Sequence, residues 1–585
     1  MAAWLAGPLL AAEASKPSAS AANDDDVVRL GKVVVAERGL GRAYFHVEVP
    51  GFEILSPFSA KLTKAYAHEL QRQRQMLGLF VPAVGDSIYD APQPIFLDDQ
   101  PPPATANALY GRTYVLPAGV LTQSLNGIRG VPVKAWDRTP TADRSTIAWS
   151  RARSSDGVVF YTSVFGFDYA RQSVGDQVVA ADRGLNHIFP LPAVYEHRRP
   201  GWPEWLEDAL DAFGGRFYSA QTLQVFMLLK LSAPPDDLGL ERAFALRRAG
   251  DSLAELTLRR QATGVFVHWA LVGGGDAMAG PDPRRDTFWR FVERAGREPV
   301  TAEMFARHFG PAAWDEVLRL WRKCAVRQTR PGLAQTLGTY WPQTQPTFAE
   351  AAVRPATRAE LVRIKSEYEW RIGREFASAA PEIAQQCYAQ AGWRLHHAYE
   401  EGERDPRFLA VLACYECDVG SPAAARKFVE EAVAARVVRP RVYFHQAQFR
   451  LADERARLAT PETKLTLEQV RRVLEPLRIA QTQRPALSEN YQLMAEAWLR
   501  SAATPEPDDL RDLAAGARLF PRELALACNV GLLQARSGDL AGAAEIAAAA
   551  LPFVPAGSEL LGRLEKLRDA ANGPSRAATE KAGRE

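Results

Sequence analysis

Residues 522–555 read RELALACNVGLLQARSGDLAGAAEIAAAALPFVP, and this stretch sets the expectation for the C-terminal half of the 585-residue chain. Two helical apolar runs flank Gly538-Asp539, which make the turn. Gly531 sits in the first helix, Ala543 and Ala550 lie on the second, and Pro555 closes the unit. Small residues are needed there because the two helices of a hairpin cross closely. Outward from this unit, a weaker copy runs from 407 to 440. Ala413, Gly420, Ala425 and Ala432 fall at the same offsets, with no proline at the matching closing position. Between the two copies, 442–459 pairs with 465–480 and 488–502 with 508–519, as hairpins without clean consensus. Residues 559–570 suit a capping helix. The expectation is an all-α solenoid of four to five hairpins over 358–572, followed by a disordered tail at 573–585.

The 522–555 unit resembles a tetratricopeptide repeat, with Gly531, Gly538, Ala543, Ala550 and Pro555 at its packing positions. The resemblance implies a concave groove that takes an extended peptide or a partner helix. A protein or peptide partner is therefore expected.

The N-terminal half has a different period. VVRLGKVVVAE, AYFHVEV, FEILS and PIFLDD are strand-like, and AKLTKAYAHELQRQRQMLGL is an amphipathic helix, which gives an α+β start. QPPPATA marks a break. Residues 100–170 carry strand-like pieces (RTYVLP, STIAWSRA, GVVFYTSVF) and read as an insertion or a sheet extension. From 175 to 327 the pattern is helical, with GDQVVAADRGLNHIF, WPEWLEDALDAF, ATGVFVHWALV, DTFWRFVERA and AAWDEVLRLWRKC in order. Pro203 suits the first turn of the second of these. Residues 331–357 read as a linker.

In their order and spacing, these pieces make residues 27–330 similar to peptidase MA-like, gluzincin-type metallopeptidase domains. PEWLEDALDAF is similar to the W-L-N-E-G-L-A-E-F helix of that family. The resemblance implies a zincin-like scaffold, in which an H-E-x-x-H helix supplies two zinc ligands and the general base, and a later helix supplies a Glu ligand. The departures fall on the chemistry. Asp208 stands where the ligand Glu is expected, Glu207 where the Asn is, and Ala209 where the Gly is. The window for the first helix, DRGLNHIF (182–189), holds His187 alone, and Pro190 and Pro192 follow it. Without two histidines and the Glu there is neither a shaped zinc site nor a base for bound water. No catalytic, cofactor or metal residue is therefore assigned. The alternative is a zinc site made by His187, His197 and Asp208, with Tyr195 or Glu196 nearby. Otherwise His197 is a loop residue in HRRPGW, and His187 a helix-end residue satisfied by backbone. The pair His68-Glu69 lacks a second histidine and reads as part of a solvated face.

Composition narrows the field further. The chain is 47% apolar and 24% charged with a net charge of +2, so neither a nucleic acid nor a membrane surface is an expected partner. No run approaches the ~18–20 apolar residues of a membrane span. Trp4 to Ala12 is a short apolar run ending in the small-x-small pattern Ala12-Glu13-Ala14, without a basic n-region. Residues 1–26 read either as a truncated signal peptide with a spacer, implying a periplasmic or extracellular protein, or as an ordinary disordered tail of a cytoplasmic one. The 5 cysteines are too few and too scattered for a disulfide framework, and Cys414 and Cys417 read as buried thiols in an apolar helix. His268 and Trp269 read as core. His396 and His397 diverge by about 100° on their helix and cannot chelate one ion together. Gly273-Gly274-Gly275 reads as a helix C-cap and turn. The functional expectation is a non-catalytic protein- or peptide-binding or scaffold protein that joins a pseudo-peptidase domain to a repeat solenoid. The alternatives are an atypical zinc metallopeptidase and a structural assembly subunit.

Overall fold

The computed structural model describes residues 44–61, 63–64, 66–68, 70–71, 80, 89–98, 114–117, 122–123, 146–154, 157–165, 202–206, 209–210, 217–219, 224–226, 234–245, 252–271, 273, 284–326, 334–336, 351–377, 381–555 and 557–570.

Strands β1 (Phe45–Val49) and β2 (Phe52–Ser56) form a tight antiparallel hairpin. Every residue of β2 is buried, as a strand covered on both faces must be. β3 (Gln93–Asp98) runs parallel to β2, so the chain crosses over between them. Helical residues within 60–71 lie on that crossover and bury Tyr66, Ala67 and Leu70. His68 is half-buried on this element, so the helix face expected to be solvated is partly covered. β4 (Tyr114–Pro117), β5 (Thr122–Gln123), β6 (Thr146–Ser154) and β7 (Gly157–Phe165) extend the same sheet. β6 and β7 are rich in β-branched and aromatic residues and pair antiparallel over nine positions, from Thr146 opposite Phe165 to Ser154 opposite Gly157. β8 (Phe217–Ser219), β9 (Gln224–Phe226) and β10 (Ala334–Thr336) make a separate three-stranded sheet. β11 (Arg354–Pro355) pairs antiparallel with β1, so part of the segment expected as a linker joins the main sheet. That mixed sheet has the order β11-β1-β2-β3-β7-β6-β4-β5.

A second core is aromatic. Helices α1 (Leu240–Ala243), α2 (Leu253–Leu271), α3 (Arg284–Ala295), α4 (Ala302–Phe309) and α5 (Ala313–Val326) enclose it. Phe266 packs edge-on against Phe291 at 5.6 Å and lies 5.3 Å from Phe305. His268 and Trp269 are buried here, and Gly273 closes α2 with its N–H bonded to the Trp269 carbonyl at 3.1 Å. Thr301 caps α4 by accepting from the Met304 N–H at 3.1 Å. Of the WLEDALDAF stretch, Leu206 and Leu210 are fully buried, and the Trp205 ring meets Phe244 edge-on at 4.9 Å.

From Arg358 onward the described chain is helical hairpins. They pair α6 (Arg358–Phe376) with α7 (Pro381–Glu400), α8 (Pro406–Asp418) with α9 (Pro422–Ala434), and α10 (Pro440–Ala456) with α11 (Leu467–Gln481). α12 (Ser488–Leu499), α13 (Pro507–Leu519), α14 (Leu524–Arg536), α15 (Leu540–Ala550) and α16 (Glu559–Ala570) complete the series. Prolines open α8, α9, α10 and α13, where the missing N–H costs nothing. Reciprocal capping boxes open α6 (Thr357 with Glu360) and α11 (Thr466 with Gln469).

The core between these helices is apolar and tight: Leu474, Met494, Trp498, Leu526 and Leu533 are buried and in one cluster. Gly531 lies where α14 meets α16, and a Cβ there would stand 3.0 Å from Leu567 Cδ1. Gly538 has φ 88°, the left-handed turn between α14 and α15 that only glycine takes without strain. Ala543 and Ala550 are buried on α15, and Pro555 follows the short 3₁₀ turn Leu551–Phe553 on the surface. This half is therefore a helical repeat-like region, and the N-terminal half carries a mixed sheet. α6 also lies on the sheet, where Tyr368 is 6.3 Å from Phe96 of β3, ring to ring. No helix among the described residues is long and apolar enough to cross a membrane.

Candidate functional site

The expected zinc donors His187, His197 and Asp208, with Tyr195, Glu196 and Glu207, lie outside the described residues. Ionisable groups do converge elsewhere, at the place where α6 and α8 meet β1 and β2.

Glu53 is the centre of that cluster. It sits in the fully buried strand β2 and is 1% exposed. An ionised carboxylate in such a place must be paired, since desolvation otherwise costs several kcal/mol. Arg363 of α6 supplies the pair with two parallel bonds of 2.6 Å each. His46 on the neighbouring strand places Nε2 3.3 Å from the same carboxylate, and Arg407 of α8 lies 3.5 Å from it. Burial pushes the Glu53 pKa up, but the charge of Arg363 and the bonds from His46 and Arg363 outweigh it and leave it at about 2. Glu360, one turn before Arg363, is likewise held at about 2: burial opposes ionisation, while Arg354 and the Thr357 N–H favour it. Further along the same face, Glu367 accepts from Arg371, and from Arg439 at 2.9 Å.

Glu360, Arg363, Glu367 and Arg371 recur at intervals of three and four, so α6 presents one charged stripe. In isolation that stripe reads as a solvent face. The available signal was the acid in FEILS, a charge inside an otherwise apolar strand that needs a cationic partner.

His46, Glu48 and Glu53 bring ligand atoms within 4.8 Å of one another, a spacing that suits a metal ion. Their donor capacity is already committed. Both Glu53 oxygens face Arg363, and Arg407 bonds Glu48 at 2.6 Å. A guanidinium therefore occupies the position from which an ion would draw its ligands, and the set fits an ion-pair network rather than a metal centre.

The other singled-out groups are dispersed. Cys414 is a buried thiol, and burial together with Cys414 raises the pKa of the Cys417 thiol. His396 bonds the buried Glu416 carboxylate at 2.7 Å, which raises the imidazole pKa. His397 turns away and stacks on Trp393 at 5.3 Å.

Beside the Glu53 cluster, a cavity of about 350 Å³ opens between the β3 approach (Asp90–Pro94) and the N-terminal ends of α8 and α10. Arg436 stands on its wall in a left-handed conformation, φ 51°. It ends α9 in a Schellman turn: its N–H bonds the Val433 carbonyl at 2.9 Å, and the Val437 N–H bonds the Ala432 carbonyl at 3.3 Å. Glycine is the usual residue there, and a β-carbon in this conformation costs roughly 1–2 kcal/mol. A larger depression of about 520 Å³ lies by the α10–α11 loop, where Arg455, Glu462 and Lys464 are exposed and Arg500 is half-buried. No protein-family model matches the chain, and no curated protein matches it.

Proposed function

We propose that the protein is a non-catalytic peptide- or protein-binding scaffold, in which an α+β domain related in plan to gluzincin peptidases carries a solenoid of tetratricopeptide-like hairpins. The observation that supports this reading most is the series of helical hairpins described after Arg358, packed through small residues such as Gly531, Ala543 and Ala550. Stacked helical hairpins form an extended concave surface of the kind that takes extended peptides. The ion-pair commitment of the Glu53 cluster argues in the same direction, because it leaves no general base beside an open metal position.

The test is selection of a random peptide library on the full chain, followed by hydrogen exchange with an enriched peptide. The reading predicts micromolar binding and protection confined to residues 358–570. Stoichiometric zinc, with zinc-dependent proteolysis lost in His187→Ala, would establish the metallopeptidase alternative instead.

A further inference from the structure

The cavity beside the Glu53 cluster has a charge surplus that its own ion pairs do not consume. Six arginines are among its lining residues: Arg363, Arg371, Arg407, Arg436, Arg439 and Arg484. Four acidic residues, Glu53, Asp90, Glu367 and Asp405, line it as well. Glu48, just outside the lining, bonds Arg407 and reduces the surplus to one positive charge. Arg436 is the group left over: it is exposed, and none of the described carboxylates forms an ion pair with it. It is also the residue held at φ 51°, where glycine would relieve the backbone. A strained residue that persists where a simpler one would fit points to a role for its side chain. The lining also includes the apolar residues Pro92, Pro94, Val411, Val437 and Pro440, and Val438, which is 51% exposed.

We propose that this cavity binds a carboxylate-terminated ligand with a short apolar body, the carboxylate taken by Arg436 and the body laid against Val438 and the proline wall. A guanidinium offers two parallel N–H donors that match the two oxygens of a carboxylate. A volume of about 350 Å³ suits one or two amino-acid residues rather than a folded partner. The ligand is either the C-terminus of a peptide or a free organic acid. Only the first source rests on the peptide-binding reading above.

The experiment is calorimetric titration of the full chain with N-acetyl-alanyl-valine, its C-terminal amide, propionate and inorganic phosphate. The dipeptide acid is expected to bind at least tenfold more tightly than its amide. Arg436→Gly, which removes the charge and relaxes the turn, is expected to weaken the acid at least tenfold while leaving the melting temperature equal or higher. Arg436→Lys should recover part of the loss. A purely structural Arg436 would not separate binding from stability in this way. Propionate binding as tightly as the dipeptide acid identifies a free acid as the ligand, and much weaker propionate identifies a peptide terminus; both support the carboxylate site. Equal binding of acid and amide, no binding of either, indifference to Arg436→Gly, or tighter binding of phosphate overturns it. Library peptides that bind equally as acids and amides leave the peptide-binding reading standing and remove this site. Propionate bound through Arg436, with no library peptide enriched, does the reverse.

Discussion

The seam between sheet and helices and the core of the last hairpins solve the same problem with opposite chemistry. Around α10–α16 the helices meet through Leu474, Met494, Trp498 and Leu533, with small residues allowing close approach. Where α6 and α8 meet β1 and β2, the contact instead runs through Glu53, Arg363, Glu360 and Arg407. The apolar core gains from any burial and is indifferent to direction. The ionic seam fixes one geometry, because each buried charge must meet its partner or pay full desolvation. The difference teaches that the first hairpin is joined to the sheet by a specific set of partners, whereas the later hairpins are joined to each other by shape.

The largest expected effects separate the two. Trp498→Ala should destabilise the protein by about 3–5 kcal/mol in denaturant melts, since it removes a fully buried indole. Arg363→Ala should cost a similar ~3–5 kcal/mol by stranding the Glu53 carboxylate. Only the second loss is expected to be recovered by changing the partner.

Acid provides the next contrast. The folded pKa values of Glu53 and Glu360 lie near 2, below their ordinary 4.5. A depressed carboxylate contributes stability that is complete above the unfolded value and is lost as pH falls through the folded one. Hydrogen exchange, corrected for intrinsic rate, should therefore rise in residues 45–56 and 358–371 between about pH 4.5 and 2, before it rises in 524–550. Simultaneous opening of both regions would contradict the division.

A smaller effect tests a turn in the apolar region. Gly538→Ala forces a β-carbon into φ 88° and should cost about 1–2 kcal/mol in the melt. The smallest is a matched pair of caps: Thr357→Ala at the seam and Thr466→Ala among the later hairpins should each cost about 1 kcal/mol. A much larger cost at Thr357 would show that Glu360 depends on the cap for its place in the ionic network.

The same contrast explains what the sequence disclosed. The hairpins were legible because a 3.6-residue apolar period, proline at first turns and Gly538 at a turn are local signals. α10, α11 and α13–α16 lie close to where that period put them, and α12 ends at Leu499, a few residues short of 502. β2 and β3 were legible as short apolar runs, FEILS and PIFLDD. The pairing of β11 with β1 was not, because a two-residue strand at Arg354–Pro355 carries no periodicity. Neither was the charged seam: Glu53 and Arg363 are 310 positions apart, and a charged helix stripe looks solvated until the sheet that covers it is known. The left-handed Arg436 could not be foreseen, since only its backbone sets it apart.

The most direct test of the seam is a double-mutant cycle on Glu53 and Arg363, read by denaturant unfolding of Glu53→Met, Arg363→Met and the pair. Coupling of about 3 kcal/mol or more, with the double variant closer to the parent than either single one, is the predicted result. Additivity within about 0.5 kcal/mol would contradict the claim that this buried pair joins the sheet to the first hairpin.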